Sequence, residues 1–411
     1  MVLENIDDIQ WDKLDCAYGD ARDVPLLLQH VSKAESEIEW VAAYNKVLDF
    51  VHRDEIIYPA TAPTVHFLMQ LLAANDDPHY KIRHCFSLGG ILLKTHMTLY
   101  PPHISALPES ITSQRSKLTT YDAFANNVDI FIDMLSHDSP DVRTASLAIL
   151  GFLVEQSQQI FPAVVDCIEK TDDVWTQAVG AWAYTLLVYH SIKFNSIVRA
   201  DINSHINQVL QWLEDTDNPI LKYTAAISCL LLQQPYSRRL PEPVFDAVIK
   251  GMNADSNDFI STTDNEEMDT LRDEFLPFDH VASIISLNCR RFSRPDLWLR
   301  LLPELELTPM QAHIYCREMM ELEFYSFNRD ASTKRWNNWD HLRKHHFLEV
   351  VNYRWSGKPF FYRPGHGFAN YQPTILKTII NCDPFWELPS NLFSFYYRLP
   401  DDRDELREMI P

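Results

Sequence analysis

A chain of 411 residues that is 46% apolar has enough hydrophobic side chain for a sizeable core, which excludes an intrinsically disordered protein. Only 9 glycines against 24 prolines argue against a β-rich fold or a Gly-loop α/β enzyme and favour helices that prolines start and stop. The formal charge of −21 keeps the chain soluble, repels nucleic-acid phosphates and anionic membranes, and makes a basic protein the natural complement.

The first twelve residues are acidic and lack a basic segment followed by an apolar one, so no secretory signal is expected. The cysteines at 16, 85, 167, 229, 289, 316 and 382 stand singly without a Cys-x-x-Cys pair, as small hydrophobes in a reducing cytosol would. The longest apolar stretch, residues 178–189, falls well short of the ~20 residues a membrane span needs. A cytoplasmic location is the resulting expectation.

Along the chain one local pattern recurs. Asp77-Pro78 leads to Ile82-Arg83, Ser139-Pro140 to Val142-Arg143, Asp172-Asp173 to Val174-Trp175, and Asn218-Pro219 to Leu221-Lys222; Ser36 to Trp40 is a weaker copy. Each copy follows an apolar helix and precedes a run rich in Ala, Ser and Leu. The polar residue caps a helix, and the aliphatic one, aligned at Ile38, Ile82, Val142, Val174 and Leu221, begins that helix's apolar stripe. In the third copy Val142, Ala145, Ser146, Ile149 and Leu153 share one helical face. In residues 174–189 apolar side chains cover more than one face, which predicts a helix packed on several sides.

The aligned positions recur at steps of 44, 60, 32 and 47 residues, scattered around the ~40–47 residues of HEAT and armadillo units. The longest interval contains an insertion at residues 100–116, read as a surface loop because Pro101, Pro102 and Pro108 interrupt any helix. The expected fold is therefore all-α: a HEAT/armadillo-like solenoid of stacked helical hairpins, since one such pair cannot bury its apolar face alone.

Residues 1–250 hold the repeats. Residues 251–327 continue the stack less regularly, with an acidic stretch at 255–274 that reads as a loop with a ragged helix, then helices at 278–291 and 308–323, the second opening on Thr308-Pro309. Residues 328–372 form a basic, aromatic insert in which the alternation at 350–355 suits a short strand or hairpin and residues 364–367 (Pro-Gly-His-Gly) demand a turn. Residues 373–411 supply capping helices at 388–397 and 401–409.

Three stretches resemble a mostly uncharacterised family of bacterial HEAT-repeat proteins: Tyr18-Gly19-Asp20-Ala21-Arg22-Asp23-Val24-Pro25-Leu26-Leu27; Tyr58-Pro59-Ala60-Thr61-Ala62-Pro63-Thr64-Val65-His66-Phe67-Leu68; and Phe385-Trp386 followed by Pro389-Ser390-Asn391-Leu392 and Leu399-Pro400-Asp401-Asp402-Arg403. Where family members carry His-Gln-Gly ahead of the tyrosine, this chain has His52-Arg53-Asp54. The resemblance implies a scaffold, with an immunity-type or regulatory role, and brings no catalytic residue with it. Local chemistry also accounts for the motifs, because Pro25, Pro59 and Pro63 start helices and Tyr18 and Tyr58 staple loops.

No phosphate loop, dinucleotide fingerprint, HExxH, nucleophile elbow or paired-cysteine zinc motif is present, so no catalytic residue, cofactor or metal is assigned. His341 and His345, with His346 and Glu349 following, have a helical chelating spacing but no third ligand at a convincing position. His79, His84 and His96 sit in a repeat helix and suit hydrogen bonds at the surface or between helices. Asp76-Asp77 and Asp172-Asp173 read as caps rather than an acid/base pair.

The candidate partner-binding residues are Arg335, Trp336, Trp339, Arg343, Tyr353, Trp355 and Arg363 of the insert, types enriched at binding hot spots. The same rings also suit a satellite core that closes the stack. The expected function is a non-catalytic scaffold that holds a basic protein partner on the concave face. The alternatives are a HEAT-like enzyme of the nucleobase glycosylase or lyase type, and nucleic-acid binding through the insert.

Overall fold

The computed structural model describes residues 3–306 apart from 54–55, 96–110, 194–198, 233–240, 255–265, 282–283 and 286–295, and beyond them Ala312, Tyr315, Cys316, Asn381, Cys382, Asp404 and Arg407. These residues are overwhelmingly helical, as the composition requires, and strands are confined to two short hairpins. The chain divides into two compact units, one of residues 1–228 with 259–277, the other of 229–258 with 278–411.

In the first unit, β1 (Asp15–Cys16) and β2 (Gly19–Asp20) pair antiparallel across the turn at Ala17 and Tyr18, and Gly19, the first residue of β2, takes φ +115°, a conformation that only glycine adopts without strain. Helix α1 (Val24–Lys33) has Pro25 in its first turn, and α2 (Glu37–Val51) is capped by the Ser36 hydroxyl, which accepts from the Glu39 amide. A second hairpin, β3 (His52–Arg53) with β4 (Ile56–Ile57), closes onto the first: the Ala17 amide donates to the Phe50 carbonyl at 2.8 Å, and Arg53 lies 5.0 Å over the Tyr18 ring. The tyrosine motif at 18 thus staples the entry loops, as local chemistry suggests.

Next come α3 (Thr61–Ala74), α4 (Pro78–Thr95), α5 (Ile111–Ala125), α6 (Val128–Met134), α7 (Pro140–Leu150), α8 (Ser157–Lys170), α9 (Val174–Lys193), α10 (Arg199–Asp215) and α11 (Pro219–Leu232). Hairpin partners pack in sequence, α1 on α2, α3 on α4, α6 on α7 and α8 on α9, while α4, α7 and α9 pack side by side. Both α7 and α9 are buried nearly all round; Ala178 to Val188 has no exposed side chain. The neighbours come close: a Cβ on Gly180 of α9 would lie 2.7 Å from Ile168 Cγ1 of α8. Among the described residues no single helix is long and apolar enough to cross a membrane.

Capping is local, and it follows the sequence. Asp77 accepts from the His79 amide, Asp173 from the Thr176 amide at 2.7 Å, and Asn218 from the amides of Ile220 and Leu221. Ile82, Val142 and Leu221 are buried as expected. Ile38 is not: it is 82% exposed, and the stripe of α2 runs instead through Trp40, Tyr44, Val47 and Val51. The reason is geometric, since Ile38 is the second residue after its cap and looks outward from the first turn. In α9, Thr176 takes the buried place and Val174 is only half-buried.

Two further expectations change. Residues 111–116, read as loop, form the start of α5, while residues 96–110 lie outside the described region. Within the acidic stretch, α13 (Glu266–Phe275) is a regular ten-residue helix belonging to the first unit. Its acidic composition conceals Met268, Leu271 and Phe275, all buried, on one helical face.

The second unit contains α12 (Glu242–Asn253) and α14 (Asp296–Leu301). Arg300 of α14 lies 3.6 Å over the Phe245 ring and ion-pairs with Glu242, and the Asn253 amide bridges the Glu304 carbonyl and the Glu306 amide. Buried Trp298 packs against Tyr315. Asp404 and Arg407 are helical and pair at 2.8 Å, within the expected 401–409 helix.

Candidate functional site

The turns that start α7 and α9 stand next to one another. The Asp173 carboxylate accepts from both the amide and the hydroxyl of Thr176, and that hydroxyl stands 3.0 Å from the buried Thr144 hydroxyl of α7. Arg143 ties the same corner together, donating to the His137 and Asp138 carbonyls and to the Thr171 hydroxyl. The repeat pattern caps α4, α9 and α11, whereas Ser139 makes no side-chain cap for α7, and it links the turns that start α7 and α9.

Onto this corner comes α13, which packs against α4, α7 and α9 together. Arg272 is 2% exposed; its Nη2 donates to Asp141 Oδ1 at 2.8 Å, its Nη1 lies 3.6 Å from Asp269, and its guanidinium stands 5.3 Å from the Trp175 ring centre. A cation so withdrawn from water requires close carboxylate and aromatic partners. Asp141 is itself pushed above the ordinary carboxylate range, first by burial, with Arg272 opposing and Asp173 and Asp269 reinforcing. Further along, the Phe275 ring meets Phe152 edge to face at 5.7 Å. Gly151 makes room there: a Cβ on it would come 3.0 Å from the Ala183 backbone and 3.3 Å from the Phe275 ring.

Other polar features are more plainly structural. Trp40, Tyr44, Tyr80 and His84 form an aromatic box between α2 and α4, with His84 4.7 Å from Tyr44 and 4.9 Å from Trp40. Burial, aided by Lys81, pushes the His84 imidazole down to about 3 and so keeps it neutral. His79 makes an interhelical contact with Glu37 at 2.8 Å. Cys85 is buried and raised to about 12, a thiol that stays protonated and inert. On the surface, His66, Thr119, Asp122, Ala123, Asn126 and Asn127 line an open cleft of about 430 Å³, in which Asn127 is engaged with the Ala123 carbonyl. Asp77 and Asp173 act as caps, as their positions imply.

The insert residues Arg335, Trp336, Trp339, Arg343, Tyr353, Trp355 and Arg363 lie outside the described residues, as do His96, His341 and His345. Among the described residues no group of three His, Cys, Asp or Glu side chains is arranged to hold a metal ion. Asp141, Trp175 and Arg272 were not singled out as a site by their residue types: the first two read as helix-start residues and the third as a lone base in an acidic run. The available signal was the spacing of Met268, Leu271, Arg272 and Phe275, one helical face carrying a cation.

Comparison of the chain with protein-family models, with curated proteins and with solved structures finds no match.

Proposed function

We propose that this protein is a non-catalytic, HEAT-like scaffold that binds another protein on the concave side of a helical solenoid, at the face made by α4, α7 and α9. One observation carries the reading: that face already receives an amphipathic helix, α13, and seats its arginine between a carboxylate and an indole. Helix-in-groove recognition works through such anchors at i, i+3, i+4 and i+7. The motif likeness to bacterial HEAT-repeat proteins and the charge of −21 point the same way, toward an immunity-type or regulatory protein with a basic partner in the cytoplasm.

The test is site-directed photo-cross-linking in the native host, with benzoylphenylalanine replacing half-buried Trp175 of α9 or exposed Asp172 in the turn that starts it, in the full chain. The expected product is one heterodimer with a basic protein, reduced when excess unlabelled chain is supplied. Cross-links that never include another protein, from either position, would overturn the reading.

A further inference from the structure

Two thiols of the second unit meet, although they stand far apart in sequence. Cys316 is helical and, with Ala312 one turn before it, wholly buried, while its neighbour Tyr315 packs against Trp298. Cys382 follows a turn at Asn381, lies outside regular secondary structure and is half-buried; it receives a hydrogen bond from the Cys316 thiol. Neither is in a disulfide. Other described cysteines are engaged differently: Cys16 donates to the Asp20 carbonyl and Cys167 to the Leu135 carbonyl, and Cys85 and Cys229 are buried within α4 and α11.

Sulfurs that share a hydrogen need only a short adjustment to reach bonding distance, and Cys382, held by no helix or strand, is free of regular backbone that would resist it. The pair is also asymmetric. Cys316 is withdrawn from water, and its thiol is held well above the ordinary cysteine range, first by the hydrogen bond with Cys382 and then by burial. Exchange with an oxidant requires a thiolate that the oxidant can reach, which makes partly exposed Cys382 the entry sulfur and Cys316 the resolving one.

We infer that Cys316 and Cys382 are a redox-sensitive modification site, which a low-molecular-weight disulfide of the glutathione type converts into an intramolecular disulfide. In the first step the Cys382 sulfur, as thiolate, attacks one sulfur of the oxidant. A bond forms between Cys382 and that half, the oxidant's own S–S bond breaks, and the other half leaves as a thiol with the proton that Cys382 gave up. In the second step the Cys316 sulfur gives up its proton and attacks the Cys382 sulfur. The Cys316–Cys382 bond forms, the mixed disulfide breaks, and the second half leaves as a thiol. Two protein thiols are oxidised by two electrons, and one small disulfide is reduced to two thiols.

A reducing thiol pool keeps the pair open, and a pool shifted toward disulfide closes it. Closure makes residues 317–381 a covalent loop, which includes the candidate partner-binding residues from Arg335 to Arg363. The chemistry lies within one chain and stands whether or not the protein-binding reading does.

The experiment equilibrates the full chain with reduced and oxidised glutathione in set ratios, blocks the remaining thiols with N-ethylmaleimide and maps the peptides by mass spectrometry. The expected product has lost two hydrogens and yields a cross-linked peptide pair containing Cys316 and Cys382. Because the fold holds the sulfurs together, the effective concentration of one for the other is expected to be at least about tenfold higher in buffer than in urea. Cys316→Ser is expected to stop at the mixed disulfide and retain glutathione on Cys382, and Cys316→Ala serves if the serine variant does not fold. Cys382→Ser is expected to gain neither the adduct nor the disulfide.

Maleimide on both Cys316 and Cys382 at the most oxidising ratio overturns the inference, and this arm needs no variant. So does an effective concentration that is equal in buffer and in urea, or a cross-link from Cys382 to a different cysteine. Glutathione on Cys316 of the Cys382→Ser chain overturns the assigned order of attack.

Discussion

Truncating Phe275 to alanine isolates the docking of α13 from the stability of the helices beneath it. The ring is 7% exposed and packs edge to face on Phe152, beside the space that Gly151 leaves. Truncating a well-buried Phe costs about 3–5 kcal/mol in protein cores. Because the ring keeps 7% exposure and its surroundings can partly relax into the space it leaves, the lower end of that range is the better guide. About 3 kcal/mol corresponds to a factor of roughly 100 in the population with α13 undocked. Native-state amide exchange measures this directly. Protection of the α13 amides is expected to fall about 100-fold, while that of α9 changes by no more than a few-fold. An equal loss in α9 and α13 would refute the reasoning, since α13 would then be an inseparable part of the core. Unchanged exchange in α13 would refute the anchoring role of the ring.

Further outcomes follow from individual contacts. Gly180→Ala gains about 1 kcal/mol of helix propensity but places a Cβ 2.7 Å from Ile168 Cγ1, and overpacking costs about 1–3 kcal/mol, so a net loss is expected in urea denaturation and a gain would contradict the close approach of α8 and α9. Gly19→Ala meets no neighbouring atom, yet at φ +115° it costs about 1–2 kcal/mol, visible as a lowered Tm. His84, held at about 3 in the fold against about 6.5 when unfolded, contributes stability that is complete above pH 6.5 and is lost progressively as pH falls toward 3. Its share is a slope of about 1.4 kcal/mol per pH unit, which His84→Phe should remove from the pH dependence of the denaturation midpoint. Arg143→Lys keeps the charge but loses the fork that reaches three acceptors on two turns, and is expected to lower Tm, unlike the same change at exposed Arg22.

The helical class and most helix starts were legible because capping acts within a few residues of chain. Ser36, Asp77, Asp173 and Asn218 each accept from amides two or three positions ahead, and that chemistry needs no tertiary structure. The doubly covered nature of α9 was readable for a similar reason, since apolar residues on several faces leave a helix no stable exposed side.

The candidate site was not legible, because its parts are far apart in sequence and each has a local explanation. Asp141 and Arg272 are separated by 131 positions, and only packing shows that one neutralises the other. Acidic composition made residues 255–274 look solvated, whereas burial of Met268, Leu271 and Phe275 depends on α4, α7 and α9 providing a surface to receive them. Ile38 shows the same limit at small scale: its apolar side chain fits the repeat pattern, yet the direction it points from the first turn of α2 leaves it in water. Local sequence determined where helices begin and that they would dominate. Tertiary structure alone decided which faces meet and that a helix of this chain covers the face proposed for a partner, because non-local contacts depend on packing surfaces that no short stretch of sequence contains.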